Sequence, residues 1–143
     1  MNSQLPRHSV SVSGVITDED GRALLIQRRD NHHWELPGGV LELGESIEDG
    51  LRREVREETG LVVEPGSLSG VYKNVSRGVI ALVFRCRATG GQLTTNDEVI
   101  AFRWADEDTI RQLTTEAYAV RLLDAMRSAT AASIRHHDGT HLL

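Results

Sequence analysis

The sequence predicts a mixed α/β fold of the α+β kind, in which one strongly marked helix interrupts a series of strands. Two observations support this prediction. Apolar runs of strand length dominate the middle of the chain, whereas one segment, residues 47–59, spaces its apolar residues at helical intervals. Strands and helices do not alternate regularly, which argues against a simple parallel β/α succession.

The first third of the chain predicts two strands and a loop. Residues 8–17 alternate loosely between apolar and polar and indicate a strand, and residues 23–27 form a second apolar run. Between them, the acids and glycine of residues 18–21 suit a hairpin connection. Pro37 and the two glycines after it end regular structure before the helix.

The helix has recognisable ends. Ser46 is a suitable N-cap with Asp49 three residues later, and Gly60 provides the C-terminal stop. An apolar stripe of residues four apart should face the core, and it consists of Ile47, Leu51 and Val55.

The second half predicts four short strands and two further helices. The strands are residues 61–63, 71–72, 79–87 and 99–104, and the helices are residues 106–113 and 115–128. After Ser128 the apolar pattern dissolves, so we expect a single domain over residues 1–128 and a flexible polar tail over residues 129–143.

Composition restricts the classes of function. The chain has 143 residues, with 16 basic and 21 acidic side chains, for a net charge of −5. This charge argues against nucleic acid or an anionic membrane as a partner, but not against a small anionic substrate bound at a local site. The single cysteine, Cys86, excludes an intrachain disulfide. Neither a signal peptide nor a membrane span is evident, so a cytoplasmic protein is expected, and a homodimer stays possible.

One face of the predicted helix carries a cluster of acids. Glu54, Glu57 and Glu58 lie at i, i+3 and i+4, where like charges repel. A hard divalent cation such as Mg²⁺ would offset this repulsion, because it prefers oxygen ligands. Arg53 stands four residues before Glu57 and could orient that carboxylate. The alternative is a solvated acidic face with a few surface ion pairs.

The segment from residue 38 to residue 61 closely resembles the Nudix box, G-x5-E-x7-R-E-U-x-E-E-x-G-U, where U is aliphatic. The fixed positions are all satisfied, by Gly39, Glu45, Arg53, Glu54, Val55, Glu57, Glu58, Gly60 and Leu61. The resemblance to the Nudix (MutT-like) hydrolase family implies an α/β/α sandwich with a mixed sheet and a loop–helix–loop motif. It also implies hydrolysis of a nucleoside diphosphate linked to another group, with Mg²⁺ or Mn²⁺ as cofactor.

The same resemblance assigns roles to the box residues. Glu57 and Glu58 match metal ligands, and Glu54 matches a position that serves as a ligand or as the general base. Gly38 matches a glycine whose carbonyl often completes the metal shell. Arg53 is expected to orient a carboxylate, while Glu45 either reaches the metal through water or ties the loop to the helix.

Outside the box the residues support weaker expectations. Glu98, with Asp97 as its rival, is the best candidate for a later acid that acts as base or extra ligand. Trp34, Arg28 and Arg29 could contact a base or a phosphate, although a core-edge aromatic and surface arginines are the simpler interpretation. The tail histidines, His136, His137 and His141, are expected to lie in the disordered tail.

Substrate and alternative functions stay open at this stage. Residues 74–77 lack the proline that often follows the box in ADP-ribose-cleaving members, so nucleoside triphosphates, nucleotide sugars and related compounds are all candidates. A non-catalytic nucleotide-binding module would be expected to have lost box glutamates. An isomerase would need a reactive cysteine, and Cys86 has no neighbouring acid or base in the sequence.

Overall fold

The structure, a computed structural model, describes residues 4–143. Its elements over that range are eight strands and three helices. The strands are β1 Ser9–Ile16, β2 Ala23–Arg28, β3 Trp34–Glu35, β4 Gly38–Val40, β5 Leu61–Asn74, β6 Val79–Gly91, β7 Val99–Ala105 and β8 Ser133–His137. The helices are α1 Ile47–Thr59, α2 Glu107–Leu113 and α3 Glu116–Met126.

The strands form two sheets. The larger sheet has the order β4-β1-β6-β5-β8 and is mixed, because β1 pairs with β6 and β5 with β8 in parallel while β4 and β5 pair antiparallel with β1 and β6. The smaller sheet, β3-β2-β7, is antiparallel. The predicted mixed α/β architecture is confirmed.

Alternate residues of β1 contribute to two separate cores. Val12 and Ile16 pack in a cluster with Leu51 of α1, whereas Val15 packs in a cluster with Leu122 of α3. Since successive strand residues point to opposite faces, α1 and α3 cover opposite sides of the larger sheet.

Two details of the predicted elements are wrong. The segments expected as separate strands at residues 61–63 and 71–72 belong to one bulged strand, β5, whose register shifts absorb the polar residues between them. Leu51 and Val55 are fully buried as expected, but Ile47 keeps 38% of its surface exposed. Ile47 is the first residue of α1.

The prediction that ordered structure ends at Ser128 is also wrong. Residues 133–137 form β8, which pairs in parallel with residues 70–74 of β5. The hydrophobic pattern fails here because the strand's contacts to the rest of the protein are polar. Arg135 binds Asp124 of α3, and His137, with no exposed surface, contacts Arg121.

No helix within residues 4–143 is long and apolar enough to cross a membrane.

Candidate functional site

The helix that carries the acids is fixed at both ends as its sequence predicts. The Ser46 hydroxyl accepts a hydrogen bond from the Asp49 N–H at 3.1 Å. Gly60 adopts a left-handed conformation with φ of 82°, and its N–H donates to the Arg56 carbonyl at 2.9 Å. The helix axis and rotation are thereby fixed, which orients the acidic face.

Arg53 is the centre of a carboxylate network. Its guanidinium donates to both oxygens of Glu45, at 2.9 and 2.7 Å, to Glu54 at 2.9 Å and to Glu57 at 3.3 Å. The expected contact to Glu57 is thus present, but the bidentate pair with Glu45 is shorter. Arg53 and the Glu42 N–H lower the pKa of Glu45 to about 2. Glu45 therefore ties the loop to the helix, which is one of the two roles expected for it.

Glu54 packs directly against the loop strand β4. A Cβ atom on Gly39 would collide with the Glu54 carboxylate, so glycine is required here for close approach and not for a turn. Burial raises the pKa of Glu54, as do Glu57 and Glu98, while Arg53 opposes this effect. Glu54 is therefore a more basic carboxylate than an exposed glutamate.

Glu58 is the most buried of the three helix acids, with only 7% of its surface exposed. Its Oε1 accepts a hydrogen bond from the Gly38 N–H at 2.7 Å. Burial raises its pKa to about 8, and the negative charges of Glu35, Glu54 and Glu98 add to this effect against the Gly38 hydrogen bond. A carboxylate in this setting is stabilised by any cation that binds beside it.

Glu57 differs from its neighbours in facing solvent. Its side chain is 58% exposed, and Arg53 is the partner that contacts it. Glu57 is therefore open to an incoming ligand, whereas Glu54 and Glu58 are held in place by the loop.

The loop that carries Glu98 is attached to the C-terminal end of α1 by Asn96, a residue that sequence reasoning missed. The Asn96 amide donates to the carbonyls of Glu57 and Glu58, at 3.2 and 3.0 Å. Its own side-chain oxygen accepts from the N–H groups of Glu98 and Val99 at 2.9 and 3.0 Å. The acid expected from the later loop thus lies close enough to raise the pKa of two box glutamates.

The arginines before the box are structural in this arrangement. Arg29 donates to the carbonyls of Asn96 and Asp97, at 2.9 and 3.2 Å, and so supports the Glu98 loop from its other side. Arg28 pairs with Asp30 at 2.6 Å and with Glu35 at 3.3 Å. Burial raises the pKa of Glu35, which is, after Asn96, a second residue near the site that sequence reasoning missed.

The donor set suits a hard divalent cation, although the glutamates are not arranged around a common point. Within residues 4–143, no three histidine, cysteine or acidic side chains are grouped closely enough to form a ready metal site. Glu54 and Glu58 are engaged by Arg53 and by the Gly38 N–H instead. Carboxylate oxygens are the ligands that Mg²⁺ and Mn²⁺ prefer, and the pKa values of Glu54 and Glu58, raised first by burial and then by neighbouring acids, would be lowered by a cation beside them.

Two adjoining cavities open beside the box loop on the α3 side of the sheet. The larger, about 910 Å³, is lined by Trp34 and Tyr118 together with amide and hydroxyl side chains. The smaller, about 180 Å³, is lined by Gly38, Gly39 and Arg121. Both share Tyr118 in their walls, so together they form a cleft that leads from an aromatic region to the loop beside the acids. Trp34 is a core-edge aromatic as expected, and it also borders this cleft.

Comparison with known proteins agrees with this geometry. The sequence model of the NUDIX domain matches residues 7–125. A MutT-like protein of Streptomyces ambofaciens is 54% identical over 138 residues, which cover 96% of this chain and 89% of that protein. An ADP-ribose pyrophosphatase of Methanocaldococcus jannaschii is 37% identical over 112 residues, which cover 73% of this chain and 66% of that protein.

The fold is similar to that of solved relatives. The crystal structure of a MutT protein from Methanosarcina mazei Go1 matches with a TM-score of 0.73 at 29% identity, over 90% of this chain and 100% of that chain. The chain therefore belongs to the Nudix family of pyrophosphohydrolases. Within that family it is similar to MutT-like proteins, and the prediction of a Nudix hydrolase from the box residues is confirmed.

Proposed function

We propose that the protein is a Mg²⁺-dependent hydrolase that cleaves the diphosphate bond of a nucleoside diphosphate linked to another group. One observation carries this proposal: Glu54 and Glu58, on the helix that also carries Glu57, contact Gly39 and Gly38, and these glycines line a cleft large enough for a nucleotide. Water attacks phosphorus, the bridging P–O bond breaks, and each product keeps one of the two phosphoryl groups.

Glu57, Glu58 and Glu54, with the Gly38 carbonyl, would hold the cation, for which Mn²⁺ is a chemically suitable substitute. When bound, the cation supplies positive charge that neutralises phosphoryl oxygens and favours deprotonation of water. Arg53 keeps the carboxylates apart and oriented through its short bonds to Glu45 and Glu54. Its role is therefore positioning.

Glu54 is the preferred general base, because burial raises its pKa toward the working range of a proton acceptor. Glu98 is the alternative, since it belongs to a loop that Asn96 anchors to the same helix and is itself exposed. The two roles predict different behaviour in the glutamine variants described in the Discussion.

The substrate class extends from nucleoside triphosphates to nucleotide sugars and related diphosphates. The Methanocaldococcus relative, named an ADP-ribose pyrophosphatase, favours inclusion of ADP-ribose among the compounds tested. We propose a cytoplasmic enzyme. Its net charge of −5 favours neither nucleic acid nor an anionic membrane as partner. A homodimer is compatible with this role.

The alternatives are disfavoured by particular residues. A nucleotide-binding module without activity would not need every box glutamate, and all are present. Isomerase chemistry would need a reactive thiol, but burial raises the pKa of Cys86 to about 12 and the side chain lies in the core that packs against α1.

The decisive experiment is a substrate panel with Mg²⁺, resolved by product. Release of a nucleoside monophosphate from at least one compound is expected from the wild type. Glu57→Gln and Glu58→Gln should each lower turnover by orders of magnitude, roughly 10²-fold or more, because each removes a charged ligand. Glu48→Gln, an exposed acid in the first turn of the same helix, is the matched control and should keep normal turnover. Near-normal turnover in both ligand variants would refute the proposed site.

A further inference from the structure

The smaller cavity beside the box loop contains a buried positive charge that the proposed chemistry has not used. Arg121 of α3 keeps only 9% of its surface exposed and lines this cavity together with Gly38 and Gly39. Its Nε atom is buried without a hydrogen-bond partner. Within residues 4–143 Arg121 forms no ion pair, and burial lowers its pKa. A buried, unpaired guanidinium is costly, so an acceptor from outside the chain would stabilise it.

The carboxylate that stabilises the charge of Arg121 electrostatically, Glu35, already has another arginine as its hydrogen-bond partner. Glu35 lines the same cavity and favours the charged form of Arg121 electrostatically. It accepts a hydrogen bond from Arg28 at 3.3 Å, however, and does not pair with Arg121 directly. Arg28, the other arginine in this wall, pairs with both Asp30 and Glu35, so Arg121 is the arginine of the cavity without a directly paired carboxylate.

The described side chain within hydrogen-bond range of Arg121, His137, has a second donor that competes for its acceptor nitrogen. The Gly139 N–H lies 3.0 Å from its Nδ1. Burial lowers the pKa of His137 and the Arg121 charge lowers it further, which favours the neutral ring. A neutral imidazole has one acceptor nitrogen, yet the Arg121 Nη2 lies 3.0 Å from Nε2 as well. Arg121 and His137 together have more hydrogens to donate than acceptors to receive them.

Two aromatic rings hold the guanidinium in its position. Its central carbon lies 4.7 Å from the ring centroid of Tyr118 and 5.4 Å from that of Tyr72. Aromatic faces stabilise a cation without occupying its N–H groups, which lie in the guanidinium plane. Tyr118 also lines the larger cavity, so the fixed cation lies at the junction between the aromatic region and the box loop.

We infer that Arg121 binds a phosphoryl oxygen of the nucleotide, as an anion-binding residue in the wall of the cleft. This inference rests on the proposed function, because the anion is the phosphate group of the same substrate. A phosphoryl group fits better than a nucleobase carbonyl, since a full buried charge is compensated by an anion and only partly by a neutral acceptor. With the base in the larger cavity near Trp34, the phosphates must pass Arg121 to reach the acids beside Gly39.

The test measures nucleotide binding without metal, so that it does not depend on hydrolysis. Calorimetric titrations with ADP and with adenosine, in EDTA, compare the wild type with Arg121→Met. The control is Arg111→Met, which removes an exposed arginine of α2 that pairs with Glu107 outside both cavities. Arg121→Met should weaken ADP binding roughly 10- to 100-fold, the range of a charged hydrogen bond, and leave adenosine binding unchanged. Arg111→Met should change neither affinity.

Unfolding in urea separates this role from a structural one. Methionine fills a similar volume without a buried charge, so Arg121→Met should unfold at the same or a higher urea concentration than the wild type. Should the methionine variant fail to fold, Arg121→Lys serves instead: it keeps the charge but lacks the Nε–H and the planar fork, and should bind ADP more weakly than the wild type does.

The outcomes distinguish this inference from the proposed function. Equal ADP affinities in Arg121→Met and the wild type would overturn the inference even if the enzyme hydrolyses a nucleotide normally. An equal loss of adenosine and ADP binding would also overturn it, because the contact would then be to the nucleoside. If the wild type hydrolyses nothing but loses ADP binding with Arg121, the inference stands and the hydrolase proposal fails.

Discussion

The two sides of the larger sheet carry polar clusters of opposite construction. On the α1 side, Glu54, Glu57 and Glu58 come from two turns of one helix; Arg53 of the same helix contacts Glu54 and Glu57, and the Gly38 N–H contacts Glu58. On the α3 side, Asp124, Arg135 and Tyr72 come from α3, β8 and β5 and meet only in the folded chain. The first cluster is built by local spacing and partly open to ligands. The second is buried and fully bonded around Asp124, as expected of a group that holds elements together.

Substitution of the acids on the α1 side should change turnover. If Glu54 is the base, Glu54→Gln should lower kcat by about 10²- to 10⁴-fold, the range of general-base catalysis, while Glu98→Gln is mild. If Glu54 only ligates the cation, Glu98→Gln should lower kcat instead and leave metal affinity almost intact. Turnover and Mg²⁺ dependence measured across pH in both variants decide between the roles. A normal rate in Glu54→Gln would overturn the preference for Glu54.

Substitution of Asp124, in the cluster on the α3 side, should change the free energy of unfolding. Asp124 accepts two hydrogen bonds from Arg135, both at 2.7 Å, and one from the Tyr72 hydroxyl at 2.7 Å. Asp124→Asn leaves Arg135 without its counter-charge and should lower the free energy of unfolding by about 2–4 kcal/mol, somewhat less than for a fully buried pair because Arg135 keeps access to water. Urea denaturation measures the change. Glu107→Gln, at an exposed ion pair, is the control and should cost less than about 1 kcal/mol.

Arg53 links the local cluster to its loop, and its substitution should have an intermediate effect. Lysine keeps the charge but cannot bond Glu45 through two nitrogens while also reaching Glu54. Arg53→Lys should therefore reduce activity or metal affinity by about 10- to 100-fold with the fold retained. Arg52→Lys is the matched control, because Arg52 pairs with two exposed acids, Asp49 of α1 and Glu64 of β5. A fully active Arg53→Lys enzyme would show that Arg53 is only a surface charge and does not position the carboxylates.

A smaller effect is expected in the pH dependence of the free energy of unfolding, to which Asp124 contributes. Burial raises the pKa of Asp124, but its bonds from Arg135 and Tyr72 outweigh burial, and the net pKa is lowered below 3.8. A depressed folded-state pKa stabilises the protein above the unfolded-state pKa of about 3.9, and this contribution disappears as pH falls through the folded value. The stability gap between wild type and Asp124→Asn should be full at about pH 7 and shrink at about pH 3. A gap that does not depend on pH would show that the charge of Asp124 is unimportant.

The contrast between the clusters also explains what the sequence could predict. The box helix, its cap at Ser46 and its stop at Gly60 were predictable because their determinants lie within a few residues of one another. Strands β1 and β2 were predictable from apolar runs, whereas the short strand β4 was not, because Pro37 and the glycines after it indicate an end of regular structure. Asn96 was not, because its bonds join a loop to the end of a helix 38 and 39 residues away.

Strand β8 was missed for a related reason. Its inward contacts pair charged and polar residues with α3, so hydrophobic periodicity carries no signal there. Arg121 likewise appears in the sequence as one polar residue on an amphipathic helix. Its burial becomes evident only when β5, β8 and α3 enclose it.

The most direct measurement of the central claim is Mn²⁺ binding, followed by electron paramagnetic resonance, in wild type, Glu57→Gln, Glu58→Gln and the control Glu48→Gln. We expect one class of binding site in the wild type and in Glu48→Gln, with affinity reduced by about tenfold or more in each of the other two variants. Because Mn²⁺ is titrated without substrate, the result does not depend on which nucleotide the enzyme cleaves. Equal Mn²⁺ affinity in all four proteins would contradict the assignment of the acidic face of α1 as the cation site.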